Sequence, residues 1–456
     1  MWWLLYKPEV ISGGIWVKIS KFNMFFNLDP GFLILYNSLY GSLVLIDRDV
    51  GEALKKGDLT RVLNDSEVYK SLVDSGVLIE DDFDEDLYLR KLRESMFSGI
   101  SLPVFLSLTS RCNLACKYCY QSTRPQIEGE DLTLDRWRIL YDHILKKVEE
   151  GVKSVFIALY GGEPLLNPVV AMRIIRDLEE LTREYSVQSE VGLITNGTIY
   201  NQDVEEIYDL VATTQITIDG PREIHDERRP FKSGEGSFDV IYSNLLKIVD
   251  KHSKKIAIRV NVDEHNINYI ESFIDMLAEQ GLQNKVTAFD VMPVYPDQAT
   301  KYKPFKTPKT YSEYFLEMAR ETVRLLEYAV NRGFRISKIF VKGPCLCKFK
   351  YGCSIDEKLN VYICPAYIYN TPIGFITSSS VEWGFNIKEE ATRDPMCVYN
   401  CKYGPICYGG CIYLKSKGIP TCLRILYGEE NLERLVRAYV FSRYREVIER
   451  ARSNHG

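Results

Sequence analysis

The sequence predicts an α/β chain: a partial (β/α)6 barrel between a small cysteine-free unit and an irregular cysteine-rich one. Two observations carry this. Between about residues 101 and 335 short apolar runs alternate six times with helical patterns, which implies a parallel sheet. The 12 cysteines avoid the rest of the chain: three lie at Cys112, Cys116 and Cys119, and nine between Cys345 and Cys422. The expected division is 1–100, 101–335, 336–425 and a last segment 426–456.

In the first unit, Phe32–Tyr36 and Ser42–Ile46 read as strands, Asp47–Lys56 and Asp65–Asp74 as short helices, and Gly76–Ile79 as a returning strand. The acidic run Glu80–Asp86 reads as a solvated connector. The barrel strands are expected at 104–109, 154–160, 191–195, 215–219, 256–262 and 286–292. Thr133 caps a helix whose Trp137, Leu140, Tyr141, Ile144, Leu145 and Val148 share one face, and Gly151 ends it. Asn167 before Pro168 is a cap followed by proline at the first helical position. From 345 to 425 periodicity fades, so metal rather than a large apolar core is expected to hold the region. After Asn431, Leu432, Leu435, Val436, Tyr439, Val440 and Val447 mark an amphipathic helix that docks on a neighbour.

A net charge of −5 gives no electrostatic case for nucleic acid or an acidic membrane surface. No apolar run approaches the ~20 residues that span a bilayer, and Met1–Pro8 lacks the features of a signal peptide. The expected location is the cytoplasm, where clustered cysteines point to metal rather than disulfides.

Cys112-x3-Cys116-x2-Cys119 puts three thiols on one loop after the first barrel strand. Iron–sulfur cubanes are usually held by four, so three leave one iron open for a ligand. With Tyr118 before the last cysteine, this loop resembles that of the radical S-adenosylmethionine (SAM) enzymes. Companion motifs follow in the expected order: Gly161-Gly162-Glu163-Pro164 after the second strand, Thr195-Asn196-Gly197 after the third, and Thr217-Ile218-Asp219-Gly220 through Arg229-Pro230 after the fourth. Glycines let the backbone approach a ligand, and a carboxylate such as Glu163 can hold the amino group of methionine. The resemblance gives Thr217 a contact to ribose and Arg229 one to the methionine carboxylate. It adds Tyr118, Asn196 and Asp219 to the cofactor-binding set, and Ser237-Phe238-Asp239 also fits. His225 and Arg228 would equally suit a surface charge cluster.

The family's reaction, implied by this resemblance, is one-electron reduction of bound SAM to methionine and a 5′-deoxyadenosyl radical, which takes a hydrogen atom from the substrate. A flavodoxin or ferredoxin is the implied electron donor. The C-terminal cysteines resemble the SPASM domain of peptide-modifying members, with two auxiliary 4Fe-4S clusters. By family pattern the first takes Cys347, Cys353, Cys364 and Cys411, and the second Cys397, Cys401, Cys407 and Cys422; the gap between Cys397 and Cys401 is three residues where two is usual. Cys345 or Cys347 is left over, and the sequence does not choose between them. Eight cysteines could instead bind zinc.

Related anaerobic sulfatase maturases carry a basic aspartate directly after the third cysteine of the first auxiliary set; here that position is Pro365. Asp356 and Glu357 are alternative bases, although a hairpin turn would expose both. The N-terminal unit resembles a winged-helix domain that captures leader peptides, and a packing appendage fits the same pattern. The resemblance thus implies a radical maturase of a ribosomally made precursor peptide, with a thioether cross-link as one product class. The alternatives are a formylglycine-generating sulfatase-maturase type, a non-catalytic multi-cluster electron-transfer protein, and a zinc-held scaffold.

Overall fold

In the computed structural model the described residues are 17–28, 31–121, 129–252, 255–295, 302–337, 345–378, 381–382 and 395–455. The Met1–Pro8 stretch and the side chain of Val447 lie outside them.

The described residues begin with β1 (Val17–Ile19), which pairs antiparallel with β5 (Leu78–Glu80). Between them β2 (Asn23–Asn27), β3 (Phe32–Asn37) and β4 (Ser42–Asp47) form an antiparallel sheet, followed by helices α1 (Arg48–Lys55), α2 (Thr60–Leu63) and α3 (Ser66–Asp74). Leu33 and Leu35 face these helices, where they meet Leu54, Val62 and Leu72 in one core. Asp65 starts α3 by accepting the Glu67 and Val68 N–H groups, as its sequence position suggests. The acidic run corrects the sequence reading. Asp84 caps a further helix, α4 (Glu85–Phe97), and Glu85 is buried, accepting hydrogen bonds from Ser20 Oγ and Lys21 N–H. Charge alone suggested solvent there; the donors on Ser20 and Lys21 lie 65 and 64 residues away in sequence, beyond any local pattern.

Six parallel strands then lie side by side in chain order: β6 (Ser101–Ser107), β7 (Ser154–Tyr160), β8 (Gln188–Thr195), β9 (Thr213–Thr217), β10 (Ile256–Val262) and β11 (Ala288–Pro293). Helices α5 (Leu134–Glu149), α6 (Pro168–Tyr185), α7 (Gln202–Leu210), α8 (Arg222–Arg228), α9 (Phe238–His252), α10 (Ile270–Glu279) and α11 (Tyr311–Asn331) fill the crossovers and follow the last strand. Alternation along β10 shows the layering: Ile256, Ile258, Val260 and Val262 are sealed, whereas Ala257, Arg259 and Asn261 stay partly open. The sealed residues join the barrel core with Ile270, Phe273 and Ile274 of α10; Asn261 on the other face meets Tyr118 and Asp219. Thr133 caps α5 as expected, with its side chain accepting from Arg136 N–H. Asn167 holds the N-cap position of α6 with Pro168 first in the helix, as expected, but its side chain makes no capping bond. Its Nδ2 donates to the carbonyls of Leu108 and Leu132, tying the helix start to the loop after β6.

The cysteine-rich region has more sheet than its sequence suggested. β12 (Cys353–Ile355) pairs parallel with β6, and β13 (Asn360–Tyr362), β14 (Gly374–Ile376) and β15 (Val381–Glu382) continue antiparallel, making one ten-stranded sheet. Two- and three-residue strands are too short to show a period-2 pattern. The final helix, Gly428–His455, sits between two layers. Leu432, Val436, Val440 and Ile448 pack on Met24, Phe26 and Ile34 of the N-terminal sheet, while Leu435 and Ala438 join the barrel core. Each such fully buried aliphatic stabilises by roughly 1.5–3 kcal/mol, so this helix holds the first unit to the barrel. Among the described residues, no helix is long and apolar enough to cross a membrane.

Candidate active site

The loop after β6 carries Cys112, Cys116 and Cys119, and two neighbouring segments fix its backbone. On one side the Ala115 N–H donates to the Pro230 carbonyl (2.8 Å), Lys117 N–H to Arg228 (2.9 Å), and Lys232 N–H to Asn113 (3.0 Å). On the other, Gly162 N–H donates to the Thr109 carbonyl (2.8 Å) and Glu163 N–H to Arg111 (2.9 Å). A Cβ on Gly162 would stand 2.2 Å from the Arg111 carbonyl oxygen, and one on Gly161 2.4 Å from that of Thr109. The glycine pair is therefore required first by the stem of the cysteine loop rather than by a ligand. Gly161 also has φ +132°, which side-chain-bearing residues rarely adopt.

Glu163 is completely buried at the end of β7. Its Oε1 accepts from Leu165 N–H (3.1 Å) and Thr195 Oγ1 (2.8 Å), and Oε2 from Asn196 N–H (2.7 Å). Burial pushes its pKa up to about 6, against the opposing pull of these donors and of Arg229. Asn196 turns its amide towards the loop, 3.8 Å from Cys112 Sγ and 2.9 Å from Asn113 Oδ1. The expected residues Gly161, Gly162, Glu163 and Asn196 thus converge on the stem of the cysteine loop.

The segment 217–229 supplies the opposite wall. Thr217 ends β9, nearly buried, in register beside Arg259. Arg229 is buried and donates from a terminal nitrogen to Tyr118 Oη (2.7 Å), which in turn donates to Asp219. Asn261 Nδ2 also reaches Tyr118 Oη (3.1 Å), and Asn261 N–H reaches Asp219 Oδ1 (3.0 Å). Arg228 and His225 are not surface charges. Arg228 is buried against Asp263, at 2.8 and 2.9 Å, with Tyr302 bonded to both, and its guanidinium lies 5.0 Å from the Tyr118 ring centre. His225 takes the Asp219 N–H on Nδ1 (3.1 Å), so its Nε2 carries the proton and donates to Ser237 Oγ (3.0 Å), which donates to the Arg229 carbonyl (2.6 Å). Burial, aided by Arg229, lowers the His225 pKa to about 3 and keeps the ring neutral. Asn261, Asp263 and Ser237 complete this frame. Ser237 stood in a recognised segment; single polar residues at 261 and 263 carried no such signal.

Three features of these walls suit an iron–sulfur cluster and a charged ligand. The three loop cysteines are free thiols, none in a disulfide. Burial pushes the Cys116 thiol up to about 12 while the Arg229 guanidinium opposes the shift, so a thiolate there has a cation beside it. Arg229 Nε is buried with no protein partner, a donor left for something else. Among the described residues no three His, Cys, Asp or Glu side chains group tightly enough to share a single metal ion.

In the C-terminal region Cys347, Cys353 and Cys364 are buried, Cys345, Cys397 and Cys422 exposed, and Cys401, Cys407 and Cys411 in between. Cys407 interacts electrostatically with Cys397 and Cys422. Asp356 and Glu357 are buried, contrary to the exposed-turn expectation. Asp356 closes the turn between β12 and β13, accepting from Lys358 N, Asn360 N and Tyr362 Oη. Glu357 accepts from Tyr369 Oη (2.8 Å) and Ser107 Oγ (3.3 Å) beneath Gly161, and burial raises its pKa. The Pro365 carbonyl accepts from Tyr120 Oη (3.2 Å), whose hydroxyl also meets that of Tyr160 (2.6 Å). One hydrogen bond thus links the residue after Cys119 to the residue after Cys364.

Residues 106–277 match the family model of the radical SAM superfamily. The chain carries a radical SAM domain. It is accordingly an enzyme, with SAM and a 4Fe-4S cluster as the cofactors of that domain. Among curated proteins it is 24% identical over 340 residues to the cysteine-type anaerobic sulfatase-maturating enzyme of Clostridium novyi (strain NT), covering 69% of this chain and 88% of that protein. It is also 24% identical over 364 residues to the mycofactocin maturase MftC of Mycobacterium tuberculosis, covering 72% and 84%. A solved structure of native anSMEcpe with bound AdoMet and Kp18Cys peptide shares the fold, with a TM-score of 0.56 at 16% identity, covering 77% of this chain and 99% of that one.

Proposed function

We propose that this radical SAM enzyme is a peptide maturase acting on a ribosomally synthesised precursor. The observation that carries it is the joint convergence of Glu163, Asn196 and Arg229 on the loop of Cys112, Cys116 and Cys119, at the C-terminal ends of β6 to β9. Two peptide- or protein-maturing relatives, each matched along more than two thirds of this chain, support the substrate class.

Cys112, Cys116 and Cys119 would hold the cluster through three of its irons. With SAM bound, this pair supplies one-electron reductive cleavage of the sulfonium and hydrogen-atom abstraction from an unactivated C–H bond. Glu163, ionised above about pH 6, would attract the methionine ammonium, and Arg229 its carboxylate. Thr217 would meet the ribose; Tyr118 and Asp219 would keep the Arg229 guanidinium aimed. A C-terminal SPASM region would add two auxiliary clusters, and the N-terminal unit would take a leader peptide as an added strand at a sheet edge. A flavodoxin or ferredoxin would deliver the electron. Pro365 favours a product other than formylglycine, because its ring can take no proton where a carboxylate would serve; a thioether is the favoured alternative.

The test is anaerobic incubation of the reduced, iron-loaded enzyme with SAM and any short cysteine-rich peptide found encoded beside its gene. A mass loss of about two hydrogens, absent with Cys116→Ala, is expected for a cross-link. Full-length peptide of unchanged mass alongside continued SAM cleavage would contradict the peptide assignment.

A further inference from the structure

Arg259 is a cation beside the radical SAM site with no part in the proposed function. It lies on β10, in register between Thr217 of β9 and Asp290 of β11. Registered partners on parallel strands point to the same face, so Arg259 shares the face of Thr217. Two residues on, Asn261 shares it too, and Asn261 meets Tyr118 and Asp219.

The partners of Arg259 differ from those of the neighbouring arginines. Arg228 pairs with Asp263, and Arg229 donates to the Tyr118 hydroxyl. Among the described residues Arg259 makes one hydrogen bond, from Nε to Asn261 Oδ1 at 3.2 Å, and no ion pair. Asp290 accepts instead from Ser337 Oγ and acts on Arg259 only across a distance. The side chain is enclosed enough that burial lowers its pKa, yet it stays partly open. It has given up water without gaining a carboxylate.

Asn261 fixes how the guanidinium is presented. Its N–H donates to Asp219 Oδ1 (3.0 Å) and its Nδ2 to Tyr118 Oη (3.1 Å). Its carbonyl accepts from Arg228 (3.3 Å) and from Asn266 Nδ2 (3.0 Å). An amide held at every polar atom cannot swing away, so the Arg259 Nε is anchored and the two terminal nitrogens are left. Their paired N–H groups match the two oxygens of a carboxylate.

We propose that Arg259 receives a carboxylate of the peptide substrate, either an Asp or Glu side chain or the C-terminal group, and so selects the peptide that is aligned for hydrogen abstraction. This rests on the maturase reading. SAM is not the expected occupant, because its sulfonium is itself a cation and Arg229 is the residue assigned to its carboxylate.

The test uses the full, iron-loaded chain and any short cysteine-rich peptide found encoded beside its gene. The peptide is made in three forms: unaltered, with its Asp and Glu residues replaced by Asn and Gln, and with an amidated C-terminus. Modification is followed by mass spectrometry against peptide concentration. With the wild type, one neutralised form should need about tenfold more peptide for half-maximal rate, and which form it is tells the two carboxylate sources apart. Arg259→Gln should impose a similar penalty on the unaltered peptide and little further penalty on that neutralised form. Equal turnover of all three forms by the wild type overturns the proposal without recourse to any variant. So does an Arg259→Gln penalty that is the same for every form, or loss of SAM binding by Arg259→Gln in equilibrium dialysis, which would give the guanidinium to the cofactor. A wild-type chain that cleaves SAM and modifies none of the forms is a different failure, that of the maturase reading, and removes the proposal with it.

Discussion

The two cysteine regions are built on opposite plans. The loop of Cys112, Cys116 and Cys119 is held by backbone hydrogen bonds from two flanking segments, and its walls are buried side chains with matched charges: Arg228 with Asp263, and Arg229 with Tyr118 and Asp219. The C-terminal cysteines stand on strands and turns of two to five residues, three of them exposed. The first site is organised by protein before anything binds. On the proposed reading, the second would depend far more on the auxiliary clusters it holds. Binding free energy in such a site is also folding free energy.

The contrast can be broken most severely at the loop itself. Cys116→Ala should reduce SAM cleavage to background, measured as 5′-deoxyadenosine, while circular dichroism and the melting temperature of the barrel stay unchanged. Next comes the wall. Arg228→Ala leaves Asp263 buried without its cation and should cost about 3–5 kcal/mol, read from denaturant unfolding. Gly162→Ala forces a Cβ into the Arg111 carbonyl and should cost about 1–3 kcal/mol, with poorer iron loading at this loop.

Smaller effects sharpen the same contrast. The Glu163 pKa of about 6 lies above its ordinary value, so the folded protein takes up a proton as the pH falls through 6. SAM affinity should therefore fall by up to about tenfold per pH unit below 6, and Glu163→Gln should weaken binding and flatten this dependence in equilibrium dialysis. At the bottom of the scale, Arg222→Ala removes an exposed partner of Asp239 and should change stability by no more than about 0.5 kcal/mol.

Much of the barrel was legible because its strands are long enough to show a pattern: 154–160 and 256–262 were placed to the residue. The strand expected at 191–195 begins earlier, at Gln188, because the exposed, polar Gln188-Ser189-Glu190 hides its start. The site motifs were legible as a set, but their internal roles were not. Sequence cannot show that Gly162 answers to Arg111, or that His225 supports Arg229 through Ser237, since both depend on approaches between distant segments. The helix starting at Asp84 was lost in an acidic run whose Glu85 is buried. Short strands around Cys353 lacked any period, and so the sheet that joins the two regions was not foreseen.

The central claim is that the loop after β6 and its buried walls form a working radical SAM site. Its most direct measurement is 5′-deoxyadenosine and methionine released from SAM by the dithionite-reduced, iron-loaded full chain. The two products are expected in equal amounts, and neither should exceed background with Cys112→Ala, Cys116→Ala or Cys119→Ala. An iron-loaded, reduced wild-type chain that binds SAM and releases neither product would contradict the account.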